Sequence, residues 1–178
     1  ACNYLEVGRE DHPINCVSWF QAVGFCAWLG KRLPTEAEWE KAARGTDGRP
    51  YPWGPQEPSC ERAVVDGADT STSSTSWGCF MGATWPVGSK SPLGDSPYGA
   101  QDMAGNVREW VADWYGEDFY AASPTANPTG PEEGAKRTAR GSNYASSRNW
   151  WGIYLRHNDF PDFLHDPHQG FRCARSLP

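Results

Sequence analysis

Long apolar runs are missing from this chain of 178 residues: none approaches the roughly 20 residues that a membrane crossing requires. A basic stripe is missing too. Sixteen Lys and Arg lie singly among 22 acids, for a net charge of −6, and scattered positive charge is a poor match for a phosphate backbone. Membrane insertion and nucleic-acid binding are therefore not expected. Charged residues make up only 21%, whereas Gly numbers 19 and Pro 15, so turns should be many and long helices few. The length suits one domain with a sizeable core, spanning residues 1–178. The chain starts at Ala1 without an initiator Met or a signal-peptide pattern, which leaves open what precedes it.

Six cysteines include no C-x-x-C pair and have no His cluster beside them. This favours disulfides over metal, and with them an oxidising extracellular or cell-surface setting. Six cysteines allow fifteen pairings. Cys2 with Cys16 would close the N-terminal loop, and Cys60 with Cys79 would tie off the Ser/Thr-rich stretch from Thr70 to Ser76. Cys26 with Cys173 would join the first helix to the last strand, a closure worth about 4–5 kcal/mol in the chain-entropy model. Six reduced, buried thiols are the alternative.

Two helices can be placed. Ser18 caps the first, from Trp19 to Leu29, whose apolar residues Trp19, Ala22, Val23, Cys26 and Leu29 recur at three- and four-residue steps before Gly30. Thr35-Glu36-Ala37-Glu38 is a capping box for the second, which buries Trp39, Ala42 and Ala43 and ends at Gly45. Beyond it, Tyr51-Pro52-Trp53-Gly54, Trp85-Pro86-Val87-Gly88 and Ser96-Pro97-Tyr98-Gly99 are turns around aromatic anchors. Alternation marks short strands at Arg108–Trp114 and Gly170–Arg175. Helices first and short strands later indicate an α+β domain with long structured loops.

The last third follows no helical or strand period. Asn143, Tyr144, Ser146, Ser147, Trp150, Trp151, Tyr154, His157, Asn158, Asp159, Phe160, Asp162, Phe163, His165, Asp166 and His168 mix amphipathic rings with short polar groups. Such a mixture suits a recognition surface, where aromatics supply contact area and small polar groups adapt their hydrogen bonds. Trp19, Trp28, Trp39, Trp53, Trp110 and Trp114 stand in framework blocks and are assigned to the core. Tyr144, Tyr154, Phe160 and Phe163, among polar neighbours, are assigned to the surface.

Five ordered blocks carry a family resemblance. His12-Pro13-Ile14-Asn15-Cys16-Val17-Ser18-Trp19, Lys31-Arg32-Leu33-Pro34-Thr35-Glu36-Ala37-Glu38-Trp39-Glu40, Tyr51-Pro52-Trp53-Gly54, Gly105-Asn106-Val107-Arg108-Glu109-Trp110 and Gly170-Phe171-Arg172-Cys173 resemble the formylglycine-generating enzyme (sulfatase-modifying factor) domain. The resemblance implies a C-type-lectin-like fold and a Cys26–Cys173 bridge. In that family an initial strand and helix precede the first block, which here stands near Ala1.

Catalysis is where the chain departs from its relatives. The enzymes place two cysteines after an Arg-Gly-Gly-Ser-Trp strand, where they bind copper(I) and activate oxygen. Aligning Arg140-Gly141 with that strand puts Ser146 and Trp151 at the two thiol positions, and neither offers the soft sulfur that copper(I) selects. The three-His iron site of a related branch is not matched in spacing by His12, His157, His165 and His168. Neither copper nor iron is expected, and no catalytic residue is assigned.

What remains resembles the variable proteins of diversity-generating retroelements, which hold a diversified C-terminal region on a fixed frame. Residues 140–173 are that region here, with Arg140, Gly141, Arg156, Pro161 and Gly170-Phe171-Arg172 as frame. Asn, Tyr, Ser, His, Asp and Phe are what adenine-directed mutagenesis of Asn codons produces; Trp150 and Trp151 do not follow from it. The expected role is noncatalytic binding of a protein or cell-surface ligand. The alternatives are a divergent sulfatase-cysteine oxidase and a structural or sensor module of a larger protein.

One cation site is also implied by the resemblance. Asp102, Gly105, Val107 and Glu109 correspond to a calcium site of the enzymes and offer the carboxylate and carbonyl oxygens a hard cation prefers. The positions of a second family site fall on Cys79 and Met81, which are poor calcium donors.

Overall fold

The computed structural model describes residues 1–67, 76–147 and 152–176. Helix α1 (Trp19–Trp28) begins at Ser18, whose Oγ accepts from the Gln21 amide while Gln21 Oε1 accepts from Ser18 N–H. Ser18 is thus half of a capping box that its sequence suggested only as a single cap. Helix α2 (Glu36–Arg44) repeats the device with Thr35 and Glu38, and Gly45 ends it at φ 66°. Two four-residue turns, α3 (Trp77–Phe80), which winds left-handed at Gly78 and Cys79, and α4 (Phe119–Ala122), flank strand β1 (Arg108–Trp114) in sequence.

Strands β2 (Arg137–Arg140), β3 (Arg156–Asp159) and β4 (Gln169–Phe171) complete a sheet in the order β3-β2-β1-β4. β2 runs antiparallel to both β1 and β3, and β4 runs parallel to β1. The final strand is shorter than the alternation from Gly170 to Arg175 implied. It leaves β1 after Phe171 because Arg172 turns to Glu109 and Cys173 to Cys26; the chain then bridges once more, Ala174 to Arg32.

Helices pack on this sheet through two apolar clusters. Trp39, Ala43, Met103, Ala104, Val111 and Ile153 form one, and Ala22, Cys26, Leu33, Trp110 and Ala139 the other. Buried indoles also satisfy their N–H groups: Trp110 donates to Val17 O at 3.0 Å and Trp39 to Glu109 Oε2 at 2.7 Å. Trp19, Trp53 and Trp114 are half-buried beside the core. Trp28 is not core: it is 78% exposed. α1 is apolar on every side, so periodicity could not tell its inner face from its outer one, and Phe20, Phe25 and Leu29 are exposed with Trp28.

All three expected disulfides are present, Cys2–Cys16, Cys26–Cys173 and Cys60–Cys79, and no cysteine is free. Cys26–Cys173 spans 147 residues and ties α1 to the strand that closes the C-terminal segment.

Candidate functional site

The C-terminal segment hangs between two close backbone approaches. At Gly141 (φ 82°) a Cβ would lie 3.2 Å from the Trp39 ring, and at Gly170 it would meet Ile14 O at 2.5 Å, so both ends need glycine. Inside these ends a buried charge network holds the frame. Arg140 is 0% exposed; it donates to Glu36 at 2.9 Å, to Glu40 at 2.7 Å and to Ile153 O at 2.8 Å. Arg156 donates to both Glu36 oxygens, at 2.7 and 3.0 Å. Asp113 Oδ2 accepts from Glu36 N–H at 2.7 Å, and burial pushes the Asp113 carboxyl up to about 6. α2, β1, β2 and β3 are thereby joined through polar groups that leave little freedom of register.

Five of the expected contact residues meet in one polar cleft of about 440 Å³: Asn143, Ser146, Ser147, His157 and His168 line it with Trp77 and Arg108. Residues 143–146 form a tight turn, in which Ser146 Oγ accepts from Asn143 N–H at 2.9 Å and Asn143 Oδ1 from Ala145 N–H at 2.8 Å. Behind the lining residues Arg108 and His168, Asp166 accepts from Arg108 Nη2 at 2.7 Å and lies 2.9 Å from His168 Nδ1. Burial raises the Asp166 carboxyl, but the His168 hydrogen bonds and the Arg108 charge outweigh it and hold it below its ordinary range. His157 is pushed down to about 4, chiefly by burial and then by Arg108 and Arg140, so it is neutral at neutral pH. Trp77 and Arg108 escaped the sequence reading as cleft residues. Arg108 sits in a framework block whose other members are core, and no local pattern marks Trp77.

Tyr144 corrects the surface assignment. It is 3% exposed, its ring edge-on to Trp77 and 5.0 Å from the His168 ring. Its sequence neighbours are polar, yet its burial comes from rings 67 and 24 positions away. Burial also raises its hydroxyl pKa.

The remaining aromatics of the segment, Tyr154, Phe160 and Phe163, are exposed to water and are termed its rim. Tyr154 is 56%, Phe160 51% and Phe163 46% exposed, with Leu164 and His165 beside them. Lys136 Nζ stands 5.2 Å from the centre of the Phe160 ring. Asn158 and Asp159 are half-buried on β3, where Asp159 Oδ1 accepts from Phe160 N–H at 2.8 Å. Trp150 and Trp151 lie outside the described residues.

Asp102, Val107 and Glu109 line a separate cavity of about 490 Å³. Glu109 accepts from Arg172 on both oxygens, at 2.5 and 2.6 Å, and from Trp39. Asp102 accepts from Gly88 N–H at 2.6 Å, and its carboxyl is raised by burial and by the Glu109 charge. Gly105 N–H donates to Ser142 Oγ at 2.8 Å. The donors are hard oxygens of the kind calcium takes, with Glu109 already shared with Arg172.

Solved structures share this architecture. PvdO from Pseudomonas aeruginosa superposes with a TM-score of 0.74 at 28% identity, covering 94% of this chain and 63% of that one. Treponema denticola variable protein 1 gives 0.72 at 24% identity, over 93% and 72%. The fold is of the α+β, C-type-lectin-like class. Within it, the sulfatase-modifying factor enzyme 1-like domain model matches residues 1–177, and the chain belongs to that family. It is 41% identical to the formylglycine-generating enzyme of Streptomyces coelicolor over 174 residues, 94% of this chain and 54% of the enzyme. It is 40% identical to the serine/threonine-protein kinase pkn1 of Chlamydia pneumoniae over 176 residues, 97% of this chain and 25% of the kinase. The chain thus spans about half the length of the enzyme and a quarter of the kinase.

Proposed function

We propose that this domain is a noncatalytic binding module, with the Ser146 cleft and the Tyr154–Phe160–Phe163 rim as its contact face. One observation carries the reading. All six cysteines are paired in disulfides and none lines the cleft, where Ser146 stands at a position that holds a thiol in the resembling enzymes. A hydroxyl cannot serve as a copper(I) thiolate ligand. The charge-knit frame favours binding by preorganisation, since an ordered surface spends less conformational entropy on capture. The ligand class is a protein or other cell-surface partner, and the disulfides favour an extracellular setting.

The residue palette of 143–168 supports the variable protein of a diversity-generating retroelement as the particular form of this role, and the shared fold of Treponema denticola variable protein 1 is compatible with it. A second reading is favoured by the pkn1 match, which covers 97% of this chain: the same face would then serve a module of a longer kinase. A neighbouring reverse transcriptase with a near-identical template repeat selects the first reading, and a kinase domain on the same polypeptide the second. The noncatalytic role itself is tested by incubating the purified domain with copper, oxygen and a Cys-containing sulfatase peptide. The peptide mass should stay unchanged; oxygen-dependent conversion of its Cys would end the proposal.

We also propose a structural calcium ion on Asp102, Glu109 and the carbonyls of Gly105 and Val107. Calcium should raise the melting temperature of the domain, and Asp102→Ala should remove that rise. A melting temperature indifferent to calcium argues against the ion.

A further inference from the structure

A groove of about 760 Å³ runs between α1, the start of α2 and residues 127–129, and none of its lining residues belongs to the C-terminal segment 143–168. Trp19, Val23, Ala27, Ala112 and Pro128 give it apolar walls. Its charges are one-sided. Lys31, Arg32, Lys41 and Arg137 face a single acid, Glu38, which Arg32 already engages at 2.6 Å. This local surplus of positive charge stands on a chain whose net charge is −6.

Arg137 is the cation of this set that aromatic rings hold in place. Its guanidinium lies between the Trp19 and Trp114 rings, 3.7 and 3.4 Å from their centres. Nη1 donates to Ala112 O at 2.7 Å, while the buried Nε has no hydrogen-bond partner among the described residues. Arg137 forms no ion pair among them either. A guanidinium whose plane is fixed by two rings is preorganised for a planar carboxylate. Burial lowers the Arg137 pKa and the Asp113 charge only partly offsets this, so a carboxylate in the groove would add a favourable counter-charge.

We propose that this groove docks an acidic peptide segment of a partner protein, seating one large apolar side chain against Trp19 and Val23 while flanking carboxylates meet Arg137, Lys31 and Lys41. Charge complementarity selects the occupant: apolar walls alone would accept any hydrophobic group, while the cations repel basic groups and favour acidic ones over neutral. The groove adjoins the C-terminal segment, since Trp19 N–H donates to Pro161 O at 3.0 Å and Arg137 pairs with Asp159 across the strands, but its lining residues are distinct from those of the Ser146 cleft.

The test titrates the intact domain with a capped, fluorescently labelled Glu-Asp-Trp-Glu-Asp peptide by anisotropy. Saturable binding should weaken about tenfold or more with Lys41→Glu or Lys31→Glu, both on exposed positions, and with the Gln-Asn-Trp-Gln-Asn peptide. Added salt should weaken it as well. Tyr154→Ala should leave it unchanged, so failure here and failure of the C-terminal face are distinguishable. Equal binding of the neutral peptide, or indifference to both lysine reversals, overturns the proposal. Phenylacetate binding as tightly as the peptide, with the same lysine sensitivity, overturns it in favour of a small-acid site. Self-association of the domain abolished by Lys41→Glu overturns it in favour of a second copy.

Discussion

The cleft and the rim come from one stretch of chain and share one composition, yet they sit in different physical environments. Residues in and behind the cleft spend polar groups on one another and on the frame: Asn143 on Ser146 and Ala145, Asp166 on Arg108 and His168. Rim residues Tyr154, Phe160 and Phe163 keep about half their surface in water. The first region is braced by the hydrogen bonds it makes, although Arg108 Nε and His168 Nε2 have no partner among the described residues, and the second is free to give its surface to a partner. Residue type alone does not separate contact from support. What decides is whether the frame brings a second ring or charge against the side chain.

The largest expected effect breaks the frame that both regions share. Replacing Cys26 and Cys173 by Ala frees a span of 147 residues and should cost about 4–5 kcal/mol in denaturant unfolding. Glu36→Ala comes close behind. It leaves Arg156 without its carboxylate and Arg140 with Glu40 alone, and removing one partner of a buried ion pair costs about 3–5 kcal/mol. The contrast between the regions is sharper in a matched pair: Tyr144→Ala should lose about 3 kcal/mol, and Tyr154→Ala no more than about 0.5 kcal/mol. Equal losses would erase the distinction.

Acid titration of stability gives a smaller effect. His157 has an ordinary value of 6.5 and is held at about 4 in the fold, so between these values only the unfolded chain takes up the proton. Its contribution is complete above 6.5 and is lost as pH falls toward 4. Asp113 acts with the opposite sign: raised from 3.8 to about 6, it contributes below 3.8 and that contribution is lost as pH rises through 6. His157→Gln should therefore flatten the acid loss by roughly 1–2 kcal/mol, allowing for partial exposure. Asp113→Asn should steepen it, and stability measured at steps from pH 7 to pH 4 checks both.

Local signals carried the frame well. Ser18 and Thr35 begin their helices, Gly45 ends one, and β1 spans the residues whose alternation marked it. These features depend on neighbours within four residues, which is the range a sequence pattern reports. Trp28 and Tyr144 depend on more distant partners. The outer face of α1 is as apolar as its inner one, and Tyr144 is enclosed by Trp77 and His168. For the same reason the candidate site was legible as a segment and not as two surfaces: Arg108, which anchors Asp166 across 58 positions, belongs to neither in the sequence pattern.

Hydroxyl-radical footprinting of the native domain, read residue by residue by mass spectrometry, tests the division most directly. Tyr154, Phe160 and Phe163 should be oxidised readily, with Tyr144 protected until the domain unfolds. Protection of the three rim rings, or rapid oxidation of Tyr144 in the native state, would contradict the account.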